Sequence, residues 1–274
     1  MTERWLAVRV EPSGDAQQAV IDALFAAGAQ GIQEQGTSIV THFPPGTDAA
    51  QIVRAVATAD SRAEVSCELA AEVDWSEWRA SVTAHRVGRL TIAPPWLAAS
   101  DDMTVVIEPA MAFGTGEHAT TRGVVRLMQE LPHMPEIVAD LGAGSAVLAI
   151  CAAKLGAGRV AAIELDEDAI GNAEENVVRN RVERVVHVVN GDAALLLPLM
   201  APVGLILANI ISSVLLELLP LIRESLFEDG RAILSGILEE EREMMTDAIL
   251  RNNLRLESED LEEGWWSVMI ALQR

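Results

Sequence analysis

Between residues 137 and 150 the chain reads IVADLGAGSAVLAI. Apolar β-formers run into Asp140, a short turn carries Gly142 and Gly144, and an unbroken apolar stretch rich in Ala and Leu follows. This pattern predicts a buried strand, a tight turn and a buried helix, the build of a nucleotide-handling α/β site. Neither glycine carries a Cβ, so ligand and backbone can approach closely at the turn. Taken alone, an ordinary βα bend explains the same residues as well as a cofactor site does.

Downstream, apolar strands keep alternating with helices. Residues 159–165 (RVAAIEL) predict a second buried strand with Glu164 near its end, and Asp166 and Asp168 can cap a helix reaching about Asn180. Residues 184–189 predict a third strand that runs into Asn190-Gly191-Asp192, and 205–208 a fourth that ends at Asn209. A helix over 214–227, a turn at Asp229-Gly230, a fifth strand over 231–236, a charged helix over 239–251 and an apolar strand over 265–272 complete the pattern. Such alternation implies a parallel sheet with ligands at the carboxyl ends of its strands. Gly142, Glu164, Asp192 and Asn209 all fall at such ends, and together they are harder to explain as caps and turns than any one alone.

Upstream, the pattern is different. Residues 5–10 alternate like a strand, and Asp15 leads into Val20, Ile21, Leu24 and Phe25 at helical spacing. Gly28 and Gly31 end that helix; 31–35 and 37–43 predict short strands around Gly36. Asp48 caps a helix to about Ala59 with Ile52, Val53 and Val56 inward, and 63–69 predicts another strand. The order βαββαβ is the ferredoxin-like α+β arrangement. It holds no acid, base or nucleophile constellation and reads as a recognition module. We therefore expect a domain over 1–72, a linker helix over 73–86 (with DWSEW, Trp75 and Trp78, as packing anchors), and a second domain over 87–274. Residues 87–96 and 103–108 predict a strand pair that opens it, the first ended by Pro94 and Pro95. Residues 112–121, AFGTGEHATT, predict a flexible loop and a helix running to Met128. Thr120 and Thr121 place hydroxyls near that loop, where helix capping is the plainer reading.

Charge and chemistry narrow the choice. The dinucleotide fingerprint asks for a third glycine where Val147 stands, and a carboxylate at Asp140 beside the turn would repel a diphosphate and attract a cation. S-adenosylmethionine, with an ammonium, a sulfonium and no phosphate, fits better than NAD. Glu164 lies about 20 residues past the glycines, where an acid accepts hydrogen bonds from ribose hydroxyls, and Asp192 is placed to reach an adenine amino group. The 274 residues suggest two domains; 50% are hydrophobic, and no apolar run reaches the roughly 20 residues of a membrane span. The first residues lack the layout of a secretion signal. Two cysteines far apart and five scattered histidines point to no disulfide or metal site, and the chain reads as a cytoplasmic protein. A net charge of −21 argues against direct nucleic-acid binding and suits a basic partner, although solubility alone also explains it.

With these residues in view, the chain resembles the PrmA family, methyltransferases of the eleventh protein of the large ribosomal subunit. The resemblance runs through nearly the whole length and rests on DWSEW, VGRLTIAPPW, AFGTGEHATT, DLGAGSAVLAI, LANI and LSGIL. It implies a seven-stranded, Rossmann-like S-adenosylmethionine-dependent domain preceded by a ferredoxin-like domain that grips a basic ribosomal protein. It also implies repeated methylation of lysine side chains and an amino terminus, with a monomer expected. By matching motifs, Thr121 closes on the cofactor, Gly142 lines its methionine part beside Gly144, Glu164 takes the ribose, and Asn209 sits where methyl donor and target nitrogen meet. Asp192 as the adenine partner follows the wider methyltransferase class. Glu164 stands for the family's aspartate, Ala146 for a glycine, and Glu117-His118-Ala119 for Thr-His-Pro. No catalytic acid or base stands out. The rival readings are a lysine methyltransferase for another protein, a non-catalytic cofactor-binding scaffold and, against Asp140 and Val147, an NAD-dependent oxidoreductase.

Overall fold

The computed structural model describes residues 5–13, 16–29, 32–35, 38–69, 82–108 and 116–273. The chain divides into two compact units, Met1–Ser81 and Val82–Arg274. The linker segment over 73–81, with Trp75 and Trp78, lies outside the described residues, as do Asp15, Gly31, Gly36, Thr37, Gly114 and Thr115. Residues 82–84 carry no helix, and a strand already begins at His85.

The first unit contains β1 (Leu6–Glu11), α1 (Gln17–Ala26), β2 (Ile32–Gln35), β3 (Ser38–Phe43), α2 (Ala49–Ala59) and β4 (Glu64–Leu69). The strands form an antiparallel sheet in the order β2-β3-β1-β4. Alternation buries Leu6, Val8 and Val10 of β1, which share a core with Val20, Leu24, Ile39, Phe43, Ile52 and Val56. Asp48 caps α2 as expected, accepting from the Ala50 amide at 2.9 Å. Phe25 and Val53 are exposed rather than inward. Each stands one position past a buried member of its helix's i, i+4 pair, Phe25 after Leu24 of Val20/Leu24 and Val53 after Ile52 of Ile52/Val56, and one residue of rotation turns it out of the stripe.

The second unit opens with β5 (His85–Val87), β6 (Leu90–Ala93) and β7 (Thr104–Val106), a small sheet in that order. The single strand expected over 87–96 is thus broken at Gly88 and Arg89. The Gln129 side-chain amide holds this hairpin, accepting from the Arg89 amide at 2.7 Å and donating to the Val87 carbonyl at 2.9 Å. Next comes α3 (Ala119–Met128). The main body then runs β8 (Ile137–Leu141), α4 (Val147–Lys154), β9 (Arg159–Glu164), α5 (Glu167–Arg179), β10 (Val186–Asn190), α6 (Ala193–Met200), β11 (Val203–Asn209), α7 (Ser212–Ser225) and β12 (Leu226–Leu238). A 3-10 turn over Glu239–Glu241 leads to α8 (Arg242–Arg251), β13 (Leu254–Glu262) and β14 (Trp265–Leu272).

These strands make a seven-stranded sheet ordered β10-β9-β8-β11-β12-β14-β13. From β10 to β12 all pairs are parallel, whereas β14 pairs antiparallel with both β12 and β13. The sheet is therefore mixed, not wholly parallel as alternation alone implied. Successive residues of β11 feed opposite faces. Leu205 and Leu207 join the core beneath α3, α4 and α5, and Ile206 and Ala208 join the core beneath α6, α7 and α8, where Trp266 is fully buried. Strand order reverses direction at β8, between β9 and β11, so the switch point where such sheets bind ligands lies at its carboxyl end.

Helix α3 lies close against the antiparallel part of the sheet because Gly123 has no side chain. A Cβ there would stand 2.4 Å from Ser267 Oγ, which is itself engaged with Ser235 Oγ at 2.7 Å. Gly123→Ala gains about 1 kcal/mol of helix propensity but forces α3 off the sheet. The expected net effect is destabilisation by about 1–3 kcal/mol, read as a lowered midpoint in urea unfolding; an unchanged or raised midpoint would show that the helix has room to move.

Candidate functional site

The site is built on the turn after β8. Register sets Leu141 beside Ile163 of β9, and the Ile163 carbonyl accepts from both the Gly142 amide at 2.9 Å and the Ala143 amide at 3.0 Å. Gly142 and Gly144 have φ of 68° and 52°. A Cβ at Gly142 would meet Ile210 Cγ2 at 2.6 Å, so the bare turn also makes room for the residue after β11. Glu164 locks the turn from the neighbouring strand. Its Oε2 accepts from the Gly144 amide at 2.7 Å and its Oε1 from the Asp166 amide at 2.9 Å.

A cavity of about 470 Å³ opens at this edge. Thr121, Gly142, Gly144, Glu164 and Asn209 all line it, brought together from α3, the β8 turn and the ends of β9 and β11. Asp192 does not line it; its carboxylate caps α6, accepting from the Ala194 amide at 2.8 Å. Thr121 Oγ1 and Asn209 Oδ1 are buried and have no hydrogen-bond partner among the described residues. Buried polar atoms are normally satisfied, so two orphans on residues that line the same cavity favour a polar ligand that offers a donor to the amide oxygen. Among the described residues neither Lys nor Arg lines the cavity, and Glu164 does. That lining suits a cationic ligand and disfavours a diphosphate.

Asp140 corrects an expectation. The carboxylate read from sequence as facing a cation is only 1% exposed and does not line the cavity. It lies beneath the turn, with Oδ2 accepting from the Ala149 amide of α4 at 2.9 Å and Oδ1 unpartnered. Burial pushes its carboxyl up to about 7, against the pull of the Ala149 amide. Asp140 therefore ties strand to helix rather than attracting the ligand.

Several lining residues were not singled out from sequence: His118, Leu148, Ile210, Ile211, Val214, Gly236 and Trp265. His118 is the N-cap of α3; its Nδ1 accepts from the Thr120 amide at 3.4 Å and stands 2.7 Å from Thr120 Oγ1. Its ring meets Trp265 edge-on, with centroids 4.9 Å apart. Burial, and then the nearby Arg122, hold the imidazole below its usual value and so favour the neutral ring. Trp265 had one legible signal. It opens a strand that runs antiparallel to its neighbour, so its first residue, not its last, lies at the edge where the parallel strands end.

The strand order, the antiparallel pair at one side and the cavity at the switch point define an α/β methyltransferase fold. A crystal structure of ribosomal protein L11 methylase from Lactobacillus delbrueckii subsp. bulgaricus superposes with a TM-score of 0.62 at 29% identity, covering 70% of this chain and 100% of that one. The chain belongs to the family described as Ribosomal protein L11 methyltransferase (PrmA), whose model matches residues 7–273. Similar proteins called ribosomal protein L11 methyltransferase include one from Shewanella denitrificans, 34% identical over 273 residues, which cover 89% of this chain and 91% of the relative. Another, from Heliobacterium modesticaldum, is 37% identical over 205 residues, with 73% of this chain covered and 64% of the relative's length spanned.

Because the folded value of Asp140, about 7, lies above the unfolded value of about 3.9, the folded state holds the proton more tightly. The stability this confers is full below about pH 4 and is lost as pH rises towards about 7, beyond which the loss levels off. Asp140→Asn keeps the acceptor for Ala149 and removes the titration. The stability difference between wild type and this variant, from urea unfolding at several pH values, is expected to move against wild type across that window. A flat difference would show that Asp140 is not protonated in the fold.

Proposed function

We propose that this protein is an S-adenosylmethionine-dependent protein methyltransferase that modifies lysine side-chain and amino-terminal amines of ribosomal large-subunit protein eleven. The observation that carries the reading is the constellation at one edge of the sheet. A carboxylate anchored at the end of β9 and a glycine turn after β8 share a cavity with two buried polar atoms, Thr121 Oγ1 and Asn209 Oδ1, that lack partners. The family supports the reaction, and the relatives' names support the substrate. Glu164 spends one hydrogen bond per oxygen within the protein; each oxygen keeps a lone pair for a ribose hydroxyl. Gly142 and Gly144 line the methionine portion, and Thr121 closes on the ligand. The adenine amino group is assigned to Asp192 by analogy with the methyltransferase class; its capping bond to Ala194 uses only one carboxylate oxygen.

The bound cofactor supplies an electrophilic methyl group on a sulfonium. The chain's own task is to present a neutral amine in line with it. Asn209 accepts from the target nitrogen through Oδ1, a neutral acceptor that orients the lone pair, whereas a carboxylate there would hold the amine charged. Largely apolar walls from Leu148, Ile210, Val214 and Trp265 exclude water and disfavour the ammonium form. Placement then provides most of the acceleration. The antiparallel four-stranded sheet of the first unit, with α1 and α2, is read as a ferredoxin-like recognition domain over 1–72, followed by a linker over 73–86 and the methyltransferase domain over 87–274. The net charge of −21 favours capture of a basic protein over nucleic acid. Among the described residues no helix is long and apolar enough to cross a membrane, in keeping with a cytoplasmic enzyme.

The decisive experiment is transfer of labelled methyl from S-adenosylmethionine to the purified ribosomal protein; label appearing only on other lysate proteins would replace the substrate, and no label at all would leave a scaffold. Glu164→Ala is expected to weaken S-adenosylmethionine binding by about 1.5–3 kcal/mol, some ten- to a hundred-fold, by calorimetry. Unchanged affinity would reject the ribose assignment. Asn209→Ala should lower turnover at saturating cofactor by about ten-fold or more, and full turnover would remove Asn209 from the reaction.

A further inference from the structure

We infer that Asn176 of α5 is a positioning residue for the cofactor turn: by donating to the Ser145 carbonyl it holds residues 144–146 in the shape that places the Gly144 amide on Glu164. This rests on the reading above that the turn binds cofactor. Asn176 is fully buried. Its Nδ2 donates to the Ser145 carbonyl at 3.2 Å and to Asn172 Oδ1 at 3.3 Å, and its Oδ1 accepts from the Glu108 amide at 2.9 Å and from Arg179 Nη1 at 3.0 Å.

The Ser145 carbonyl needs that donor for a local reason. It belongs to the peptide that precedes Ala146, which has φ 63° and ψ 20°, a left-handed conformation that a Cβ resists. Ala146 is also fully buried, and as the N-cap of α4 it offers no side-chain acceptor to the helix. Rotation of the Ser145–Ala146 peptide towards an ordinary φ would relieve Ala146 and swing the carbonyl away, and with α4 held in place the backbone from Gly144 to Ala146 would have to readjust, which would loosen the Gly144 amide from the Glu164 carboxylate 2.7 Å distant. A donor fixed in the core opposes that rotation, since swinging the carbonyl away gives up the Asn176–Ser145 hydrogen bond.

Asn180, one turn along the same helix, is the natural control. Its amide also serves backbone, accepting from the Val106 amide at 2.8 Å and donating to the Val106 carbonyl at 2.6 Å. It is buried as well, and it also donates to the Asn176 backbone carbonyl at 2.8 Å, but among the described residues none of its side-chain bonds reaches the turn. Loss of Asn180 should loosen α5 from the segment after β7 without changing the cofactor turn.

The test measures S-adenosylmethionine affinity by calorimetry on the full chain, well below the unfolding midpoint, with the midpoint recorded for each variant. Asn176→Ala is expected to weaken binding about ten-fold. Asn176→Asp keeps the acceptor for Glu108 and Arg179 but loses the donor to Ser145, and should weaken binding as much. Asn180→Ala should lower the midpoint while leaving affinity within about two-fold. Adding Ala146→Gly to Asn176→Ala removes the cost of the left-handed residue and should recover about five-fold in affinity. Full affinity in Asn176→Ala, equal losses in the Asn176→Ala and Asn180→Ala proteins, or no recovery with glycine at 146 would each overturn the inference. Wild-type protein that fails to bind the cofactor would instead overturn the reading of the turn itself.

Discussion

Both oxygens of the Glu164 carboxylate are engaged by backbone amides of the protein itself, one at Gly144 and one at Asp166. This clamp joins the turn after β8 to the turn after β9, on adjacent parallel strands whose register sets Leu141 beside Ile163. Two further amides, Gly142 and Ala143, converge on the single Ile163 carbonyl. The ligand-facing turn is thus shaped by contacts internal to the sheet, and a ligand need not do the ordering. Preorganisation of this kind leaves more of the interaction energy for affinity. A glutamate suits the clamp, because its two-methylene arm lets the carboxylate span the two turns.

The opposite wall depends on a separate set of contacts. Gly123 lets α3 lie against Ser267, and Ser235 reaches the Thr120 carbonyl at 3.3 Å, which sets Thr121 at the cavity. Arg122 donates to the Glu117 carbonyl and pairs with Glu262 at 2.9 Å and Glu263 at 3.2 Å; Arg126 pairs with Asp260 at 2.6 Å. These arginines connect the segment leading into α3 with the hairpin turn before Trp265, so His118 and Trp265 meet edge-on at a defined distance. Burial raises the Glu262 carboxyl, but Arg122 and Arg126 outweigh it and hold the group below its ordinary value. Partly buried pairs of this kind add little net stability, because the cost of desolvating the charges offsets much of their attraction. Their value here is geometric, because two elements far apart in sequence are brought into register at one rim.

Legibility followed pattern. The strands at 137–141, 159–164, 186–190 and 203–209 are apolar blocks between turn residues, and each was read to within a few residues. The polar ends of those strands then gave Gly142, Gly144, Glu164 and Asn209 as neighbours. Two elements left no such signal. Helix α6, AALLLPLM, has no polar face to set a period; it contains Pro198, and its Leu195 and Leu199 are exposed. Strand β13, LRLESEDLE, reads as a charged loop because it is the sheet's edge, where its acids pair with arginines from elsewhere: Glu257 with Arg231, Glu259 with Arg242, Asp260 with Arg126. Asp140 shows a different limit. Its place in the motif was plain, but whether a carboxylate at a strand's end faces the ligand or the helix behind it depends on strand pleat and on the path of α4, and neither is visible in a local pattern.

Glu117, Ala119 and Ala146, the positions that set the resemblance's motifs apart, follow the same division between backbone and side chain. Glu117 is exposed, and the atom of it that the structure uses is its carbonyl, accepting from Arg122; a change of side chain leaves that contact intact. Ala119 opens α3 almost fully buried, directly after the His118 cap, so the rigidity that proline would bring to the first helical position is supplied here by packing and by the cap. Ala146 is the change that acts through the backbone, because its φ of 63° is one that glycine adopts without cost and alanine does not. Such a conformation persists only where the surroundings over-determine it. Around Ala146 they do: its amide donates to the Ala143 carbonyl at 2.8 Å, Asp140 holds the Ala149 amide from below, and the preceding carbonyl is taken by a buried asparagine. The packing beneath the turn thereby holds the left-handed alanine in place.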